Sequence, residues 1–392
     1  MPGDVPAPVP VNAPVPAPVD APAPAPVNVP VPPPVGGAVP ELGIIEGFYG
    51  KPWSWDARAD TVSFLAPVGY RFYMYAPKGD AWLRRRWQEE HPREMAESLA
   101  GLAAHCRGAG VRFGVGLSPY EIWLDFGDAT REALARKLAF LEEVGADDVA
   151  ILFDDMRGDV PELAARQLEI LDFVGERLGG MRLFVCPTYY SDDPVLDRVF
   201  GARPHRYLED LCAGLPAGVE VFWTGEEVVS REYSPAHLDG VAAVLGRRPF
   251  LWDNYPVNDG QRMSQYLHLR GFTGRPASIA GHIAGHGINP ALQPVLSRIP
   301  ALTLAASYRD GARYSYGDAF RRAAAEVLGP QAGAAVIRDL LMLQDVGLDR
   351  LEEEQAADIR TRYQALDHEG AREVLGWLDG EYRITSEVVR TQ

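Results

Sequence analysis

Two adjacent carboxylates, Asp154 and Asp155, close the apolar run Val149–Ala–Ile–Leu–Phe153. The run is too short for a helix and free of polar residues, so it reads as a buried strand. Such a strand ends in two charges where its end opens onto a solvated site. Neighbouring strand residues point to opposite faces, so the pair can share one task if the chain turns just there. Two carboxylates this close repel, which raises the pKa of one and leaves it protonated near neutral pH. One ionised and one protonated carboxyl is what acid-assisted cleavage of a glycosidic bond requires. The same pair also reads as Mg²⁺ ligands or as a helix N-cap, and on two residues alone those alternatives stay open.

The elements that must position the pair repeat regularly. Strand candidates are Gly43–Gly47, Arg71–Tyr75, Val111–Gly116, Val149–Asp154, Leu183–Pro187, Val219–Trp223, Phe250–Asp253 and Ser278–Ile283. Helical stretches lie between them, among them Pro92–Arg107, Thr130–Glu143, Pro161–Arg177 and Pro235–Leu245. Eight strands alternating with helices over roughly 250 residues predict an α/β fold, a closed (β/α)₈ TIM barrel. A doubly wound open sheet is the competing architecture, but no Gly-rich phosphate loop follows the first strand.

Composition narrows the partners. With 392 residues the chain has room for one large α/β domain and additional segments. Thirty-eight basic against 54 acidic residues leave a net charge of −16, which argues against nucleic acid or an anionic membrane as the main partner. Cys106, Cys186 and Cys212 have no close spacing, so neither a disulfide framework nor a zinc site is indicated, and reduced thiols in a cytoplasm fit best. No apolar stretch approaches the roughly 20 residues of a membrane span. Residues 2–40 consist almost wholly of Pro, Ala and Val, which predicts a disordered, polyproline-like tail without the basic region of a secretory signal. The organisation expected is a tail over 1–41, a barrel over 42–310 and a helical C-terminal region over 311–392. In the last, Asp318–Gly329, Ala332–Leu343, Glu352–Leu366 and Glu369–Val388 show apolar residues at helical spacing.

Polar and aromatic residues gather just after the strands. Glu46–Gly–Phe–Tyr49 follows the first, Lys78–Gly–Asp80 the second and Cys186–Pro–Thr–Tyr–Tyr190 the fifth. Trp223–Thr–Gly–Glu–Glu follows the sixth, and Trp252–Asp–Asn254 with Asn258–Asp259 the seventh. In a barrel these positions converge on the C-terminal face, where catalytic groups sit. Each alone has a packing or capping explanation; with Asp154–Asp155 at the end of the fourth, six strand ends together point to a ligand-binding mouth.

The set Gly43–Ile–Ile–Glu–Gly–Phe–Tyr–Gly–Lys–Pro–Trp53, Tyr75–Ala–Pro–Lys78, Phe153–Asp–Asp155, Cys186–Pro–Thr–Tyr–Tyr190, Trp223–Thr–Gly and Trp252–Asp–Asn254 with Asn258–Asp259 resembles glycoside hydrolase family 84. That family holds the protein O-GlcNAcases and bacterial β-N-acetylglucosaminidases, and the resemblance covers about residues 43–310. It implies a retaining hydrolase of terminal β-linked GlcNAc, an exception to the two-carboxylate rule in which the substrate's own 2-acetamido oxygen is the nucleophile and an oxazoline the intermediate. The implied partner is a GlcNAc-containing glycoside, glycan or glycopeptide; no cofactor and no metal are implied. Asp154 matches the carboxylate that orients the acetamide N–H, and Asp155 the general acid and base. Tyr190 and Asn254 match groups at the reacting centre, Tyr49 and Trp252 the walls of the acetamide pocket. Gly47, Lys78, Asp259 and Asn289 match the binders of sugar hydroxyls. Departures from the family pattern are Gly79, where many relatives carry an acidic residue, and the stretch Met156–Arg–Gly–Asp159. The alignment of Asn289 depends on how nearby Gly285 is placed. Two other functions fit the residues: a metal-dependent barrel hydrolase holding Mg²⁺ on Asp154, Asp155 and Asp159, and a non-catalytic carbohydrate-binding barrel, which would normally lack one aspartate of the pair.

Overall fold

A computed structural model describes residues 39–392. The tail expected over 1–41 lies, but for its last three residues, outside the described residues. Eight parallel strands follow: β1 (Glu41–Glu46), β2 (Tyr70–Tyr75), β3 (Arg112–Leu117), β4 (Asp148–Leu152), β5 (Arg182–Cys186), β6 (Glu220–Trp223), β7 (Phe250–Asp253) and β8 (Gly285–Ile288). They pair in chain order, and β1 pairs with β8 to close the barrel. Outside it run α1 (Trp55–Leu65), α2 (Arg93–Gly108), α3 (Asp128–Glu143), α4 (Leu163–Gly175), α5 (Val195–Phe200), α6 (Tyr207–Gly214), α7 (Pro235–Leu245) and α8 (Pro294–Asp310). The strands read as unbroken apolar runs because both faces are covered, by helices outside and by side chains within.

Four phenylalanines plug the interior. Phe72, Phe184, Phe222 and Phe250 meet mostly edge to face, with ring centroids 5.2–5.5 Å apart. Such bulk leaves no room on the strands that cross it. A Cβ at Gly285 would lie 2.3 Å from the Phe250 ring, and one at Gly287 2.4 Å from Ile45 Cδ1. This corrects the eighth strand, expected at Ser278–Ile283. Residues Ala277–His282, entered through Pro276, form a short 3₁₀ helix, and the strand is the glycine-rich segment after it. Two glycines in four residues are poor strand formers, so local preference pointed to the wrong segment while the plug decides the right one. At the opposite end, the first residues of five strands (Glu41, Arg112, Asp148, Arg182 and Glu220) form an ion-pair network, with Arg112 Nε 3.1 Å from Asp148.

Four helices complete the chain: α9 (Tyr316–Leu341), α10 (Glu353–Gln364), α11 (Glu369–Leu378) and α12 (Ser386–Thr391). α9 breaks at Gly329, with φ 73°, before Pro330, as the two separate sequence periods there require. The single helix expected over Glu369–Val388 is instead α11 and α12, parted near Gly380, whose φ of 78° ends the first. Glu373 of α11 accepts hydrogen bonds from the N–H groups of Val295 and Leu296 at 2.8 and 2.9 Å, capping α8 from outside it. Burial raises the Glu373 carboxyl to about 7 against those two donors.

Replacing Gly285 by alanine is expected to lower stability by about 1–3 kcal/mol, the usual cost of overpacking a core. Urea denaturation checks this: an unchanged midpoint would mean that the phenylalanine plug yields freely.

Candidate active site

β4 stops at Leu152, and the chain turns within the next three residues. Phe153 is held to β5 by its N–H on the Cys186 carbonyl at 2.9 Å and by the Thr188 hydroxyl on its own carbonyl at 2.9 Å. Asp155 then takes φ 56°, a conformation that costs a non-glycine residue energy and that clusters at functional sites. The turn lets consecutive residues face one space. Neither aspartate caps a helix, since α4 begins only at Leu163.

Lys78, from the loop after β2, sits between the two carboxylates. Its Nζ is 2.5 Å from Asp154 Oδ2 and 3.7 Å from Asp155 Oδ2. Lys78 and Asp154 are both buried, so the pair is strongly coupled, and removing one partner of such a pair typically costs about 3–5 kcal/mol. Asp154 Oδ1 is buried and has no hydrogen-bond partner among the described residues. An unmet acceptor of that kind costs about 1–3 kcal/mol, recovered when a ligand N–H reaches it.

Asp155 is held differently. Tyr49 Oη donates to its Oδ2 at 3.0 Å and Tyr190 Oη to its Oδ1 at 3.3 Å, while Arg84 Nη2 donates to its backbone carbonyl at 3.3 Å. Burial alone would raise this carboxyl. The Lys78 ammonium, the Arg84 guanidinium and the two hydroxyls outweigh it and hold Asp155 below the ordinary aspartate range. The expectation that repulsion leaves the acid of the pair protonated near neutral pH is therefore corrected: the Lys78 cation screens the repulsion.

The opposite wall comes from β1, β7 and β8. Trp252 Nε1 and Asn289 Nδ2 both donate to Asn254 Oδ1, at 3.1 and 3.0 Å, and Asn254 Nδ2 donates to the Val228 carbonyl at 2.9 Å. Gly47 N–H donates to Asn289 Oδ1 at 3.2 Å, and Tyr49 N–H to Asp259 Oδ2 at 2.9 Å. The Trp252 indole stands edge-on to Phe222 at 5.3 Å, so the phenylalanine plug is its floor. Burial pushes Asp259 up to about 6, with the Tyr49 N–H opposing.

All ten sequence-derived positions (Gly47, Tyr49, Lys78, Asp154, Asp155, Tyr190, Trp252, Asn254, Asp259 and Asn289) line one cavity of about 280 Å³. Gly285 opens β8 and Asn289 follows its last residue, so the asparagine stands at the barrel mouth and the glycine does not. Other strand-end groups stay outside. Glu46 is bound by Arg58 and Tyr73, and Asp253 by Arg275 and His286, all buried. Asn258 braces Leu292 and Tyr266. Asp159 pairs with Arg157 and does not join Asp154 and Asp155, so the three-aspartate metal site is not assembled. Among the described residues no group of three His, Cys, Asp or Glu stands close enough to hold a metal ion.

Sequence reasoning missed Val228, Val229 and Val389, which line the cavity, and Arg84, which braces Asp155. Apolar loop residues carry no chemical signal, and Arg84 is one of three consecutive arginines. A second groove of about 380 Å³ meets the cavity at Asp155 and runs between Tyr120, Met156, Arg157, Val199 and Phe200. The Met156–Asp159 stretch that departs from the family pattern is thus part of the groove's lining.

A family model described as β-N-acetylglucosaminidase matches residues 42–340, well over half of the chain. The chain belongs to glycoside hydrolase family 84. Among family 84 relatives, the protein O-GlcNAcases of Mus musculus and Rattus norvegicus are each 30% identical over 277 residues, 68% of this chain. The matched stretch spans only 30% of those mammalian proteins. The solved structure of a mutant O-GlcNAc hydrolase from Thermobaculum terrenum superposes with a TM-score of 0.71 at 29% identity, covering 87% of this chain and 81% of that one. Among the described residues no helix is long and apolar enough to cross a membrane.

If Asp259 accepts from the sugar as a carboxylate, protonation removes one of its acceptor oxygens, and affinity for N-acetylglucosamine is expected to fall as the pH drops through about 6, by at most about tenfold per pH unit. Calorimetric titration between pH 4.5 and 7.5 measures it, and a flat profile would remove Asp259 from sugar binding.

Proposed function

We propose that this protein is a retaining β-N-acetylglucosaminidase that removes terminal β-linked GlcNAc by substrate-assisted catalysis. The observation that carries this reading is the unpartnered, buried Oδ1 of Asp154 at the cavity, beside a second carboxylate turned toward the same space. The names of the relatives, protein O-GlcNAcase and O-GlcNAc hydrolase, support GlcNAc as the sugar.

The acetamido group lies between Tyr49 and Trp252, and its N–H donates to Asp154. Its carbonyl oxygen attacks C1, the glycosidic C–O bond breaks, and Asp155 delivers a proton to the departing oxygen. An oxazoline remains, and the positive charge that grows on the acetamide nitrogen is met by Asp154. Water then gives its proton to Asp155 and attacks C1 from the face the alcohol left, so the β anomer is released. Lys78 positions Asp154, since its ammonium at 2.5 Å occupies Oδ2 and leaves Oδ1 for the acetamide N–H.

Asp155 must gain a proton before it can act. Lys78, Arg84 and the hydroxyls of Tyr49 and Tyr190 favour its ionised form. A bound sugar takes the tyrosine hydroxyls for its own oxygens and excludes water, and both changes raise the carboxyl. The couple titrates as one unit, so a pH–rate profile reports the pair. The groove beyond Asp155 is the path of the leaving group, because the acid must stand between sugar and aglycone.

Asp155→Ala is expected to slow release of alkyl alcohols by about 10²–10⁴-fold while sparing activated aryl leaving groups, the range general acid catalysis supplies. Equal losses on both, from parallel assays of aryl and serine-peptide glycosides, would take the acid's role from Asp155. A plain aryl β-glucoside, with a 2-hydroxyl in place of the acetamide, should be hydrolysed at a negligible rate. Rapid cleavage of it would contradict the attack by the substrate's own carbonyl.

A further inference from the structure

Val389 is the one cavity-lining residue drawn from the helical C-terminal region, and the contacts around it are specific. Residues 381–385 anchor the segment: Ile384 N–H donates to Ser264 Oγ at 3.1 Å, and Glu381 pairs with Lys51 at 2.9 Å. α12 then crosses the loops after β1 and β2. The Gln392 side-chain amide bonds both backbone groups of Gly50, accepting from its N–H at 2.7 Å and donating to its carbonyl at 3.4 Å. Arg84 Nε donates to the Gln392 carbonyl at 3.0 Å and Arg85 to the Arg390 carbonyl at 3.1 Å.

The two loops are shaped to receive it. Gly50 has φ 105°, and a Cβ there would lie 2.3 Å from Ile384 Cδ1. A Cβ at Gly79 would come 3.2 Å from Gln392 Nε2, so a longer side chain would occupy the seat of that amide. Gly50 follows Tyr49 and Gly79 follows Lys78, both of which line the sugar cavity. Val389 shares that cavity with Asp259 and Gly260, whereas no residue beyond Gly201 lines the groove that leaves past Asp155.

We propose that residues 386–392 are a wall of the sugar pocket, and that Val389 and Gln392 determine what the bound sugar can carry on its outer hydroxyls. The assignment rests on the glycosidase reading above. With α12 seated, the pocket ends at the hydroxyls near Asp259, so a substituent on them meets Val389. Through Arg84 the same segment also touches the backbone of the acid, at 3.3 Å from its carbonyl.

The test compares aryl β-GlcNAc with the same glycoside methylated on its C4 or C6 oxygen. For Val389→Ala combined with Gln392→Ala, the ratio of kcat/KM on methylated to unmethylated substrate should rise at least about tenfold over the unaltered protein for one of the two positions, the discrimination that one methyl group in a pocket supplies. A ratio within about twofold at both positions overturns the proposal, since it falls below that range. Hydrogen–deuterium exchange gives a readout independent of turnover: the Gly50 amide should be protected in the unaltered protein and exchange faster in Gln392→Ala. Equal exchange in both would show that the segment is not seated and would equally overturn it. If the unaltered protein hydrolyses none of the three glycosides, the glycosidase reading itself fails, and the exchange result still decides whether the wall is there.

Discussion

One buried ammonium organises the reactive centre. Lys78 lies within 2.5 Å of one aspartate and 3.7 Å of the next, in a site closed to solvent on most sides. Without it a buried carboxyl and its half-buried neighbour would lie side by side with no cation between them, and repulsion between like charges is strong where water is largely excluded. With it the pair divides: Asp154 spends one oxygen on the cation and keeps the other free, while Asp155 rests on hydroxyls that a ligand can take away. The turn at Asp155 makes this division possible, because on a continuing strand the two groups would face opposite sides. Rigidity comes from below, where the phenylalanine plug supports Trp252 and the β4 and β5 ends are laced together through Phe153, Cys186 and Thr188.

Much of the centre was legible in the residues because chemistry and strand period coincide there. An apolar run ending in two acids has few bland explanations, and repeated strand ends with aromatic and polar groups imply a common mouth. The eighth strand was not legible. Gly285 and Gly287 are chosen by the rings of Phe250 and Phe72 and the side chain of Ile45, residues from other strands, and no local preference reports such a constraint. The resting state of Asp155 was hidden for a similar reason. Adjacency announces repulsion, but the screening cation comes from another strand end, and its approach is a matter of angstroms. Arg84, Val389 and Gln392 belong to the same class, since their importance lies in where loops and a distant helix come to rest.

The C-terminal region is tied to the barrel in two ways that differ in kind. Glu373 supplies α8 with the cap its own sequence lacks, a buried carboxylate on two backbone donors. α12 instead lies along the rim on hydrogen bonds to Gly50, Arg84 and Arg85, with little of its own surface buried. The first attachment concerns the integrity of the barrel's last helix. The second concerns the shape of the space above the sheet, where small movements change what fits.

On the proposed mechanism, the meeting of cavity and groove at Asp155 has a bearing on what attacks the oxazoline. When the first alcohol has departed, the sugar still fills its pocket and the vacated groove is the open approach to C1. Water arrives by that channel, but so can any small alcohol present in excess, and the same carboxylate would accept its proton. On the proposed mechanism the groove would therefore admit transglycosylation onto added acceptors, with the apolar flank of Tyr120, Val199 and Phe200 biasing which acceptors compete with water.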